Sequence, residues 1–150
     1  MKVKDCMCTN VYCATPNTTV NNIARIMNDK HVGCVPICSN NKELCGIITD
    51  RDIILRTVAC NKDVNTTQAS EIMTTEVWTC TENEDVANAQ NTMANNQVRR
   101  LPVCNENNEV VGMITLGNLA QSWSGNNNAS KIGKTFEEIC KCGNQTKNAE

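Results

Sequence analysis

Apolar residues return at Val20, Ile23, Ala24 and Met27, the i, i+3, i+4, i+7 spacing that gathers them on one face of a helix. Farther along, Val86, Ala89 and Met93 keep most of the same face. Thr19 and Asp85 stand just before these runs, where a side-chain oxygen can accept an orphan backbone N–H, so both are predicted N-caps. Short runs with an aromatic at the second position, Val11–Ala14 and Val77–Cys80, read as strands ahead of each helix. Two strand pairs follow. Val32–Cys38 and Leu44–Ile48 flank the polar turn Ser39–Glu43, and Val98–Cys104 and Val110–Ile114 flank Asn105–Asn108. A further helix is predicted from near Asp50, with Ile53, Ile54 and Val58 inward, and another from near Leu116, with Leu119 inward.

The two series are copies. Sliding the chain against itself by 66 residues, without gaps, gives 16 identities between Met7–Thr49 and Met73–Thr115. Among them are Met7/Met73, Thr15/Thr81, Val32/Val98, Pro36/Pro102, Gly46/Gly112 and Thr49/Thr115, with conservative pairs such as Tyr12/Trp78, Val35/Leu101 and Asp52/Asn118. One strand–helix–strand–strand–helix unit of about 50 residues cannot bury enough surface alone. The expected fold is therefore α+β: two pseudo-twofold-related βαββα units packed sheet to sheet, plus a C-terminal helix. The division is residues 3–60, a linker at 61–68, residues 69–122, and a C-terminal loop, helix and tail at 123–150. Within the last part, Trp123–Asn128 reads as loop. Ser130–Cys142 reads as a helix with Ile132, Phe136 and Ile139 on one side and Gly143 as its stop.

Composition narrows the function. The 14 Lys+Arg are balanced by 16 Asp+Glu, which argues against a nucleic-acid partner. No window approaches the 18 apolar residues of a spanning helix, and the N-terminus lacks a signal-peptide core, so no membrane association and a cytoplasmic location are expected. The 23 asparagines reflect an AT-rich coding bias before any function. The 11 cysteines are an odd number in a chain read as unsecreted, which argues against a disulfide framework. Against the repeat, Cys6 aligns with Ile72, Cys13 with Thr79, Cys45 with Val111 and Cys80 with Ala14, so cysteine stands where small or near-isosteric residues stand in the other copy. Cys6, Cys8, Cys140 and Cys142 leave open a thiolate metal or redox site. His31, the one histidine, supports no nucleophile–His–acid set.

The segments His31–Cys38 with Glu43–Ile54, and Gln97–Cys104 with Glu109–Ala120, resemble the two halves of a tandem cystathionine-β-synthase-type (CBS) domain pair, or Bateman module. The openings Val3–Cys8 and Ala69–Thr74 resemble that family's Asp-Ile-Met-Thr segment. The resemblance covers Val3–Ser122. It implies two clefts that in many members hold adenosine-containing ligands such as AMP, ADP, ATP or S-adenosylmethionine, no catalysis by the module, and a homodimer of pairs.

Adenosine presents an aromatic base, a diol and, in nucleotides, a phosphate chain. The base suits a flat apolar slot. The diol suits a carboxylate that accepts from both hydroxyls, and the phosphate suits Arg or a helix N-terminus. By the family pattern Asp52 grips the ribose, Thr49 bonds ribose or phosphate, and Arg51 is a phosphate contact. Gly33, Cys34, Val35 and Pro36 would line the adenine slot, with Thr15 and Cys8 near it, and Gly46 permits a close backbone approach. In the second unit Thr81, Leu101, Pro102 and Thr115 are the counterparts. Asn118 replaces the acid, and Arg99 and Arg100 stand where basic phosphate contacts are expected. The expectation is one stronger cleft around Asp52 and a weaker or empty second one. The functional expectation is a regulatory adenine-nucleotide sensor that changes conformation or affinity for a partner in trans. The alternatives are a ligand-free dimerisation or scaffold module and, behind it, a thiol-based metal or redox sensor. Ile53/Ile54 and Val20/Met27 are the helix faces read as available to the homodimer.

Overall fold

The structure, a computed structural model, describes residues 1–122 and 129–141. After a 3-10 turn at Val3–Asp5, the first unit runs α1 (Val20–Lys30), β1 (Cys34–Cys38), β2 (Leu44–Thr49) and α2 (Asp50–Ile53), which continues into a π-helical segment at Ile54–Val58. The second unit runs α3 (Ala69–Ile72), β3 (Cys80–Thr81), α4 (Val86–Asn96), β4 (Arg100–Cys104), β5 (Val110–Thr115) and α5 (Leu116–Ser122), and α6 (Ala129–Cys140) is the last element among the described residues. The C-terminal helix is present; the expected loop at 123–128, Cys142 and the stop at Gly143 lie outside the described residues.

The repeat appears as matched registers. β1 and β2 pair antiparallel with Val35 opposite Ile48, and β4 and β5 pair with Leu101 opposite Ile114. Each hairpin carries a register shift at the same place, Ile37/Cys38 and Val103/Cys104. The strands expected ahead of the helices are shorter than their patterns. Only Ala14 bridges to Ile37, and only Cys80–Thr81 pairs in parallel with Val103–Cys104.

Two cores form, and each borrows from the other unit. Val3 is fully buried in the second core with Val86, Met93, Leu101, Ile114 and Leu119. Ala69 and Ile72 are buried in the first core with Val20, Ile23, Val35 and Ile48. Backbone bonds fix the exchange. Val86 N–H donates to Met1 O at 3.0 Å and Val3 N–H to Glu84 O at 2.9 Å, while Val20 N–H donates to Thr67 O and Ala69 N–H to Thr18 O. The opening segment of each unit thus satisfies orphan donors at the start of the other's helix. Thr19 also caps α1, accepting from Asn22 N–H at 3.4 Å. Asp85 holds the equivalent place but makes no side-chain cap; its carboxylate instead pairs with Lys2 Nζ at 3.0 Å, which lowers its pKa.

Gly46 and Gly112 are required by the same exchange. Ile47 bridges Thr74, and Met113 bridges Cys8. A Cβ at Gly46 would stand 2.8 Å from Thr74 O and from Met73 Sδ, and one at Gly112 would stand 2.6 Å from Met7 Sδ. The close approach at Gly46 is therefore to the crossing chain segment.

Two expected faces are corrected. Ile54 and Val58 are 57% and 63% exposed, not inward. The π-helical winding advances fewer degrees per residue than an α-helix, and along it Thr57 turns inward while Ile54, Leu55 and Val58 turn out. Val20 is fully buried in the first core and offers nothing to an outside partner.

Candidate functional site

The pseudo-dyad brings the starts of β1 and β4 together. Gly33 and Arg99 are equivalent under the repeat, and their carbonyls accept from the first N–H of the following helical segments, Asp50 at 3.1 Å and Leu116 at 2.9 Å. Arg100, equivalent to Cys34, reaches across the two units, and its Nη1 donates to Gly33 O at 3.3 Å. Beside this crossing lies a cavity of about 420 Å³. One wall is Gly33, Cys34 and Pro36 at the head of β1, with Val32 before it. Another is the irregular arm Cys8, Asn10, Val11 and Tyr12. The floor and far side come from Arg99, Arg100, Met113 and Thr115–Asn118. The volume falls in the range of small-molecule sites.

Seven of the predicted residues thus meet at one cavity: Gly33, Cys34, Pro36, Arg99, Arg100, Thr115 and Asn118. Thr115 and Asn118 cap α5 reciprocally. Asn118 Oδ1 accepts from Thr115 N–H at 3.0 Å and from its hydroxyl at 2.8 Å, and Asn118 N–H donates to Thr115 Oγ1 at 3.1 Å. With its oxygen so used, Asn118 has its amide N–H donors for a ligand, suited to acceptor oxygens. Two guanidinium groups and, among the described residues, no carboxylate line the cavity, while the Asp50 carboxylate stands close to Gly33, so the arginine side is the one suited to anions. The Cys34 thiol is pushed up to about 11 by burial, against the opposing pull of Arg100, and stays protonated at neutral pH.

The other predicted residues lie outside this cavity. Thr49 and Asp52 form a capping box at the start of α2: Asp52 Oδ2 accepts from Thr49 N–H at 3.0 Å, and Asp52 N–H donates to Thr49 Oγ1 at 3.2 Å. Asp52 is buried, and its Oδ1 lies 3.6 Å from Arg56 Nη2. Arg56 Nη1 in turn donates to Ile72 O at 2.7 Å and Thr74 Oγ1 at 3.1 Å. The side chains of Val35 and Leu101 are fully buried in the two cores, and Pro102 is buried between its strand neighbours. Arg51 is exposed, its N–H donating to Asp50 Oδ1. Thr15 is exposed, its N–H donating to Thr18 Oγ1. Thr81 borders a different hollow of about 440 Å³, with Glu82, Asn83, Cys104 and Asn105–Asn107.

Sequence reasoning placed Cys8 near the slot but missed Asn10, Val11, Tyr12, Val32, Met113, Leu116 and Gly117. The aromatic pair Tyr12/Trp78 in the repeat was the available signal for Tyr12. Tyr12 is half-exposed, and Lys30 Nζ sits 4.9 Å from its ring centroid. Among the described residues, no three His, Cys, Asp or Glu side chains gather to hold a metal ion, and no helix is long and apolar enough to cross a membrane.

Comparison with known proteins agrees with the duplicated fold. The chain is 40% identical over 127 residues to the CBS domain-containing protein YhcV of Bacillus subtilis, covering 85% of this chain and 89% of that protein. A crystal structure of the CBS domain pair of protein MJ0100, in complex with 5′-methylthioadenosine and S-adenosyl-L-methionine, superposes with a TM-score of 0.75 at 29% identity, over 83% of this chain and 97% of that one. The crystal structure of Hypoxic Response Protein I with two coordinated zinc ions gives a TM-score of 0.74 at 31% identity, over 81% of this chain and 98% of that one. The CBS-domain family model matches residues 3–58 and 69–125, so the chain belongs to the CBS-domain family as a tandem pair.

Proposed function

We propose that the chain is a non-catalytic regulatory CBS pair that binds an adenosine-containing ligand and acts on a partner in trans. The observation that carries this is the cavity between the units, where Gly33, Cys34, Pro36 and Tyr12 offer a largely apolar slot and Arg99, Arg100 and Asn118 offer donors. The 5′-methylthioadenosine and S-adenosyl-L-methionine in the MJ0100 pair support the ligand class. Because Arg99 and Arg100 line the cavity and, among the described residues, no carboxylate does, the preferred ligands are phosphate-bearing nucleotides such as AMP, ADP or ATP.

In this reading the principal site is at Asn118 rather than Asp52. Both Asp52 oxygens are engaged, one with the Thr49 N–H and one with Arg56. The ribose role that the family pattern gives Asp52 belongs to a second, weaker site in the first unit. A ligand held by both units at once favours the arrangement in which they close on it, and that differential affinity is what a regulator requires. A second copy of the chain is the proposed occupant of the face bearing Ile54, Leu55 and Val58, giving a homodimer measurable by light scattering.

The test is thermal-shift titration with AMP, ADP, ATP, S-adenosylmethionine and NAD. At a hundredfold excess over its dissociation constant, a bound ligand adds about 2.7 kcal/mol to stability. Shifts with the phosphate-bearing nucleotides that exceed those with S-adenosylmethionine support the reading, and no shift with any of them contradicts it.

A further inference from the structure

The pseudo-dyad makes the two units a matched pair, and the C-terminal helix breaks the match. α6 lies against α4 and α5 and seals the groove between them. Ile139 joins the buried cluster that holds Met93 and Leu119, and Ile132 packs against it. Gln90 Nε2 donates to Lys131 O at 3.0 Å and Gln97 Nε2 to Lys141 O at 3.3 Å, so α4 grips α6 near both ends. In the first unit the equivalent groove runs between α1 and α2. There Met27 and Ile53, the counterparts of Met93 and Leu119, are only partly buried. Ala24 stands where α4 has Gln90.

The outer faces differ in the same sense. Ile54 and Leu55 are exposed, and their counterparts in the second unit are Ala120 and Gln121. The unit that carries its own covering helix has a small and a polar residue at these positions. The unit without one keeps two large aliphatic side chains in water, where burial against a partner is favourable.

We propose that two copies of this chain pair through their first units alone, face to face across a two-fold axis, and that α6 stands in for the second copy on the second unit. The proposal rests on the homodimer reading and adds which unit makes the interface. An isologous contact sets one patch against itself, so a single aliphatic face is covered in both chains at once. The seating of α6 on α4 shows that this kind of groove accepts a helix of the same chain, with side-chain ridges interleaved. With one open face per chain, assembly stops at two copies. An open face on each unit would let a pair close through both faces or go on adding copies. The solvent side of α6 carries the exposed Phe136, which marks the competing interface across the second unit.

Full-length protein without added nucleotide is sized by light scattering and sedimentation. Wild type is expected at two chains and no larger. Ile54→Ala combined with Leu55→Gln gives the first unit the residues of the second at exposed positions. It is expected to keep the wild-type circular dichroism spectrum and to raise the dimer dissociation constant at least about tenfold. Phe136→Asp is expected to stay at two chains. A two-chain wild type that Phe136→Asp separates, or that the paired variant leaves intact, would overturn the proposal while the homodimer stands, and so would a wild-type mass beyond two chains. A one-chain wild type would overturn the homodimer reading and the proposal together.

Discussion

Asp52 and Arg56, one helical turn apart, tie the start of α2 to the other unit: the carboxylate lies 3.6 Å from the guanidinium, which donates to the carbonyl of Ile72. The carboxylate also closes the capping box with Thr49. Asp52→Ala removes a cap and leaves a partly buried Arg56 without its counter-charge. The expected loss is about 1–3 kcal/mol in urea unfolding, with Arg56→Ala similar because it strands the Ile72 carbonyl.

Val3 lies far in sequence from the core that holds it. Val3→Ala is expected to cost about 2 kcal/mol, through lost burial plus the cavity left behind. Hydrogen exchange should localise the loosening to α4 and β4, whose Val86 and Leu101 share that core, and should leave Ile23 and Ile48 protected. Loosening of the first unit's helices instead would contradict the exchange of segments.

Gly46→Ala places a methyl group against the backbone oxygen of Thr74, which cannot swing away as a side-chain end could. The expected penalty is about 1–3 kcal/mol. Gly133→Ala, where a Cβ meets nothing within 4 Å, serves as the control and should be neutral or mildly stabilising because Gly133 lies inside α6.

Alkali should destabilise the protein. Burial raises Cys34 to about 11 and Cys80 to about 12 from an ordinary 9.0. These groups favour folding fully below pH 9. Above it the unfolded chain sheds thiol protons that the folded chain keeps, so stability falls as pH rises from about 9 through 11–12. Urea midpoints at pH 8 and pH 10.5 check the sign, and Cys34→Ala should shallow the decline.

Much of this was legible because it is local or repeated. Helical periodicity located α1 and α4, the polar turns located both hairpins, and the 66-residue offset announced the pseudo-dyad. Gly33, Cys34, Arg99, Arg100, Thr115 and Asn118 were visible because they stand at the ends of repeated elements. What stayed hidden is non-local or depends on winding. The burial of Val3 and Ile72 in opposite units leaves no periodic trace in a three- or four-residue segment. The outward turn of Ile54 and Val58 follows from π-helical winding that the apolar spacing does not encode. The engagement of Asp52 by Arg56 was available as an i, i+4 pair, but the same acid also fitted a ribose contact, and sequence alone cannot choose between two partners for one carboxylate.

Isothermal titration of the full-length protein with AMP tests the central claim most directly. Wild-type protein is expected to bind, Arg100→Ala to bind at least about tenfold more weakly, a loss of about 1.4 kcal/mol, and Asp52→Ala to stay within about threefold of wild type at a temperature where all three are folded. No binding by the wild type, or retention by Arg100→Ala with loss in Asp52→Ala, would contradict the assignment of the nucleotide to the cavity beside Asn118.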